Sequence, residues 1–205
     1  MPQGLTGHSG HTFWPTSSSP PIQLEQEERP PPQRNTSQNG HTFWPITPLL
    51  YHERLEGRAT RIHCEDGLAL VIVWDEGNFA HLCGLDYYLD DSKRRRLPPR
   101  KLYEDLLKGR RISPKRVSPH GDVQWLKKKA DVLTDAMDMS KVTHVVVSGN
   151  SRIVLYAGNE VWCIGLGRMR DERYYPQSLI KKSFDEVRKT GTIAHTVAAV
   201  ETLKL

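Results

Sequence analysis

The chain has 205 residues, with 29 Lys and Arg against 24 Asp and Glu and a net charge of +5. That length fits one domain plus an appendage, and the modest basic excess permits a polyanionic partner without requiring one. No apolar run approaches the ~20 residues of a membrane span and no cationic segment leads into an apolar one at the start, so neither a membrane helix nor a secretory leader is expected.

Residues 1–50 differ from the rest. They contain no Lys, a run of prolines from Pro30 to Pro32 and a Ser/Pro patch from Ser17 to Pro21. Such a segment buries too little surface to offset its ordering entropy and is expected to be disordered. Within it Gly10-His11-Thr12-Phe13-Trp14-Pro15 recurs as Gly40-His41-Thr42-Phe43-Trp44-Pro45. Two copies do not build a repeat fold, so the pair reads either as a duplication without use or as twin linear motifs whose Phe-Trp anchors dock on a partner. Trp44 also adjoins Leu49, Leu50 and Tyr51, against which it can pack.

Residues 51–205 then form the globular domain, with 27 basic against 21 acidic residues. Residues 59–64 and 68–74 are apolar or alternating around Glu65-Asp66-Gly67, a hairpin signal. The motif Asn78-Phe79-Ala80-His81-Leu82-Cys83-Gly84-Leu85 follows as a loop just past the second strand, where a histidine is held by a rigid element yet can reach a cleft. A charged connection, Asp90–Arg96, precedes a helix over 101–108 opened by Pro98-Pro99 and stopped by Gly109. The strongest helix runs from Asp122 to Met137, with Val123, Leu126, Ala130, Leu133 and Met137 at 3–4 residue spacing. Lys127, Lys128 and Lys129 lie on its flank, as a solvated face or as phosphate contacts.

Strands follow at 143–148, 152–156 and 161–166, separated by the turn pairs Gly149-Asn150 and Gly158-Asn159, with further strands at 175–180 and 193–203. Helices followed by hairpin-linked strands indicate an α+β fold: about two helices on a four- to six-stranded, mainly antiparallel sheet. Cys64, Cys83 and Cys163 are odd in number and widely spaced, which fits core thiols in a reduced, cytoplasmic setting.

From Trp74 onward the order of features resembles the phage-associated nuclease-like families grouped with barnase, EndoU, colicin and RelE. The resemblance rests on the Asn-Phe-x-His-Leu-x-Gly-Leu motif of residues 78–85, two helices, several strands and a late Pro176-Gln177-Ser178 element. It covers roughly residues 70–200. It implies a small metal-independent ribonuclease with RNA on an open sheet face. A free ribonuclease in a cytoplasm would need a cognate inhibitor protein or restricted expression, and no motif calls for a cofactor.

Metal-independent RNA cleavage requires a base for the ribose 2′-hydroxyl, an acid for the leaving 5′-oxygen and fixed cations for the phosphoryl oxygens. His81 is the first candidate for acid or base, against a role in pinning the Gly84 turn. Arg168 and Arg173 are the candidate catalytic cations, with Arg170 and Tyr175 to bind phosphate and stack on a base. Ser178 and Lys181 follow the proline and are positioned to donate to a phosphate. His195, His120 and His144 read as a sheet, a loop and a strand-end histidine. No phosphate-binding glycine loop, dinucleotide fingerprint, H-E-x-x-H or paired Cys/His spacing is present. The expected activity is therefore an endoribonuclease of toxin or phage type; the alternative is an inactive RNA- or protein-binding module of the same fold.

Overall fold

The structure is a computed structural model that describes residues 47–149, 152–188 and 192–205. Residues 1–46 of the expected disordered tail, both copies of the Gly-His-Thr-Phe-Trp-Pro motif and Asn150 of one expected turn pair lie outside those residues, while residues 47–50 of that tail are helical.

Helix α1 (Thr47–Arg54) leads into the hairpin β1 (Arg58–Cys64) and β2 (Ala69–Trp74), which pair antiparallel from Arg58↔Trp74 to His63↔Ala69. In β2 the alternate residues Leu70, Ile72 and Trp74 are buried, as period-2 patterning predicts. Then come α2 (Glu76–Cys83), β3 (Leu85–Tyr87), α3 (Pro99–Leu107), β4 (Val117–Pro119) and α4 (Val123–Leu133). The remainder is β5 (His144–Val147), β6 (Leu155–Gly158), β7 (Cys163–Arg168), β8 (Tyr174–Ile180), α5 (Phe184–Val187) and β9 (Ala194–Lys204).

The expected open sheet is not what forms. Seven strands close into a barrel in the order β1-β2-β8-β7-β6-β5-β9, and β3 pairs with β4 in a separate ribbon. Two non-local pairings close the ring: β9 runs antiparallel to β1 from Arg58↔Lys204, and β8 meets β2 in parallel at Ile72↔Tyr174. Among the described residues five α-helices accompany it, so the expectation of about two helices on an open four- to six-stranded sheet is corrected, as is that of RNA on an open sheet face. Closure turns one strand face inward, where Ile62, Ile72, Ile164, Leu166 and Leu179 form part of the core.

Two local readings also change. The motif of residues 78–85 is mostly helix, not loop, because α2 occupies Glu76–Cys83. The long helix expected to Met137 ends as α-helix at Leu133 and tightens into a 3₁₀ turn over Asp135–Met137. Its expected core residue Val123 is 61% exposed, while Lys129 is 2% exposed. Gly158-Asn159 does make a turn, the Asn159 carboxamide oxygen accepting from the N–H groups of Val161 at 2.8 Å and Trp162 at 3.1 Å. Cys64, Cys83 and Cys163 are all free and buried.

Candidate active site

Helix α2 is built by its own sequence. The Asp75 carboxylate accepts from the N–H of Asn78 at 3.1 Å, and the Asn78 side chain accepts from the N–H of Asp75 at 2.8 Å, a reciprocal cap. Tyr51 fixes the entry by donating its hydroxyl to the Asp75 carbonyl at 2.6 Å. At the other end Gly84 adopts φ +70 and returns its N–H to the last turn. Phe79 and Leu82 are fully buried, and Phe79 meets Tyr51 and Tyr103 at ring distances of 5.5 and 5.3 Å. The Asn, Phe, Leu and Gly of the motif therefore cap and anchor the helix, leaving half-buried His81 as the motif's titratable side chain near the surface.

His81 faces His120, with ring centroids 6.4 Å apart. The antiparallel β3–β4 ribbon brings His120 there: Leu85 pairs with Pro119, and the His120 N–H donates to the Gly84 carbonyl at 2.9 Å. Asp86 of β3 holds the arrangement. Its Oδ1 lies 2.8 Å from Nε2 of His120 and accepts from the Arg96 guanidinium. Burial, then the neighbouring His120 and Arg96, push the His81 imidazole below its ordinary value near 6.5.

Behind His81 stands Lys129 of α4. Its ammonium lies 3.4 Å from the His81 carbonyl oxygen, 3.5 Å from Oγ of Ser178 and 3.9 Å from the centre of the Trp125 ring. Burial lowers its pKa from 10.5 to about 8. The motif helix and the Pro-x-Ser strand, 97 residues apart at His81 and Ser178, thus meet at one lysine.

The other expected residues lie elsewhere. Arg168 pairs with Glu172 at 2.9 Å and Arg173 with Asp171 at 2.6 Å, both at the β7–β8 turn beside exposed Arg170. Arg173 precedes Ser178 by five residues, about 16 Å along an extended strand at ~3.3 Å per residue. The Tyr175 hydroxyl accepts from the Gln177 amide at 2.5 Å, and Lys181 pairs with Asp131 at 2.9 Å. His195 pairs with Asp66 at 2.6 Å, and His144 stacks on Phe184 at 3.6 Å. From sequence Asp86 and Arg96 drew no role, His120 read as a loop histidine, and Lys129 stood only within the Lys127–Lys129 run, as a solvated face or a phosphate contact. The signal for Lys129 was present: Trp125 and Leu133 stand four residues either side of it, on one helix face. His120 had no comparable signal, because the ribbon pairing places it.

Among the described residues, no group of three or more His, Cys, Asp or Glu is arranged to hold a metal ion, and no helix is long and apolar enough to cross a membrane. No curated protein and no solved structure matches the chain. The family model described as phage-Barnase-EndoU-ColicinE5/D-RelE like nuclease 4 does match, over residues 49–197. That span holds α2, the β3–β4 ribbon, α4 and β8, hence every residue placed around His81 above. The chain belongs to this nuclease-like family.

Proposed function

We propose that the protein is an endoribonuclease that cleaves RNA without a metal ion, by attack of a ribose 2′-hydroxyl on the adjacent phosphorus. The observation that carries this reading is the 6.4 Å spacing of the His81 and His120 rings. In an in-line displacement the attacking and leaving oxygens lie on opposite sides of phosphorus, a few ångströms apart. Each must lie within ~2.6–3.2 Å of its proton-transfer group, so the two groups flank the phosphate at roughly 6–9 Å.

The roles follow from the surroundings. His81, whose charged form is disfavoured, is neutral near pH 7 and suits the base that takes the 2′-hydroxyl proton. His120 is bound through Nε2 to Asp86, which leaves Nδ1 to donate a proton to the departing 5′-oxygen. The P–O5′ bond breaks as the O2′–P bond forms, giving a 2′,3′-cyclic phosphate and a 5′-hydroxyl. Arg96, held on the same Asp86 oxygen, places positive charge beside the developing phosphorane. Arg168, Arg170, Arg173 and Tyr175 gather at the β7–β8 turn and the start of β8 and would guide the strand beside the cut.

The test is incubation with end-labelled single-stranded RNA in EDTA. Cyclic-phosphate products are expected, with no cutting of a strand carrying a 2′-deoxy sugar at the cleaved position. His81→Ala and His120→Ala should each lower kcat by ~10²–10⁴ with the fold retained by circular dichroism. Full activity in His81→Ala, or cleavage abolished by EDTA, would overturn the reading.

A further inference from the structure

Among the described residues, Lys129 is a buried cation. It is 2% exposed, on the apolar face of α4 between Trp125 and Leu133. Its recorded contacts among the described residues are two neutral oxygens and an aromatic ring, with no carboxylate. Distances of 3.4 and 3.5 Å are at the long limit of hydrogen bonding. Burying a cation against such weak acceptors is costly, and an apolar side chain of the same length would cost less. At pH 7 a group with a pKa of about 8 is still about ten-to-one protonated, so the cost is borne by a charged group.

Room has been kept for this charge. A Cβ on Gly84 would stand 3.0 Å from the Lys129 ammonium. Ser178 and His81, the two residues whose oxygens it reaches, are both half-buried, so the ammonium's partners belong to residues that reach solvent. We infer that Lys129 and Ser178 form a phosphoryl-anion subsite beside His81, which takes a phosphate oxygen of the RNA backbone. The ammonium supplies the charge and the hydroxyl a second donor, a charge-assisted pairing that strengthens in a dry site. The choice of RNA as the source rests on the proposed function; the anion subsite itself does not depend on cleavage.

A plain helix-capping role makes the opposite forecast, because the ammonium also faces the C-terminal end of α2. The two are separated by thermal unfolding with inorganic phosphate at constant ionic strength. Phosphate should stabilise the wild type at pH 7, and Lys129→Met should weaken its apparent affinity about tenfold or more, a loss of about 1.4 kcal/mol. Ser178→Ala should weaken it less. Raising the pH to 9.5 should abolish the effect, and the phosphate-free Lys129→Met protein should melt above the wild type. Should that variant not fold, carbon NMR of labelled lysine in the wild type supplies the answer: phosphate must raise the Lys129 titration midpoint. An unmoved midpoint, equal stabilisation of wild type and variant, or a less stable Lys129→Met protein would overturn the subsite. A 2′-O-methyl oligoribonucleotide, which cannot be cleaved, should compete with phosphate and bind at least tenfold tighter; failure to compete would overturn the RNA assignment. These readings stay informative if the His81 cleavage experiment fails.

Discussion

Gly84 stands where the Trp125 ring needs space: a Cβ there would lie 2.6 Å from Cζ3 of the indole. The same glycine closes α2 in the left-handed region, at φ +70. Conformation and contact thus demand the same residue, at the point where the motif helix and α4 touch. Gly84→Ala should destabilise the fold by about 2 kcal/mol or more, read as a fall in the urea midpoint. It should also tilt Trp125 off Lys129, so activity should drop by more than stability alone explains at 25 °C.

Asn78 is buried and completes the reciprocal cap with Asp75. Asn78→Ala removes the acceptor of the Asp75 N–H and should cost about 1 kcal/mol in chemical denaturation. Because α2 carries His81, the loss should appear first as increased hydrogen exchange in residues 76–83.

Lys129 gives stability a distinctive alkaline dependence. Its folded pKa, about 8, lies below the 10.5 of the unfolded chain. The folded state therefore prefers the neutral amine, and the fold is penalised wherever the unfolded lysine is protonated. The penalty is complete below pH 8 and vanishes as pH rises to 10.5, a gain of about 3 kcal/mol. Lys129→Met should lack that gain, and the difference between the two unfolding curves across pH 7–10.5 measures it.

Asp86 gathers His120 and Arg96 on one oxygen. Asp86→Asn keeps the shape but releases both from a charged acceptor. Under the proposed function it should lower kcat by ~10-fold or more with little change in KM, since it acts on orientation and charge at the phosphate. Steady-state kinetics on a defined oligonucleotide checks this.

Arg168 and Arg173 make exposed ion pairs with Glu172 and Asp171. Their joint replacement by Ala should change stability by less than about 1 kcal/mol. If the β7–β8 turn guides the strand, KM should rise and its salt dependence flatten, with kcat nearly unchanged. A fall in kcat alone would place these arginines at the chemistry instead.

The contrast between Lys129 and His120 marks what the residues disclosed and what they withheld. The β1–β2 hairpin was legible because Glu65-Asp66-Gly67 sits between two apolar runs, and Gly67 indeed takes φ +90. The family was legible from the order of motif, helices and Pro-x-Ser. The helical nature of residues 78–83 was obscured because burial on several sides erases a 3.6-residue period in two turns, although Asp75 and Gly84 were readable as caps. Lys129 was hidden by its neighbours: a tri-lysine run reads as a wet face, and only Trp125 and Leu133 four residues away betray the burial. Barrel closure left no local trace, since it depends on β1 finding β9 and on one parallel pairing of β2 with β8. His120 was placed by pairing of the same non-local kind.

The β1–β9 pairing also sets an order of events. The hydroxyls of Thr60 and Thr202 lie 3.3 Å apart across 142 residues of chain. During synthesis β1 and β2 emerge early and must wait, with the outer edge of β1 unpaired, until residues 194–204 leave the ribosome. The helices and strands that surround His81 have all been made by then, yet the wall behind them still has a gap. A cell making this protein therefore holds an unsealed precursor until β9 is free of the ribosome and can pair with β1.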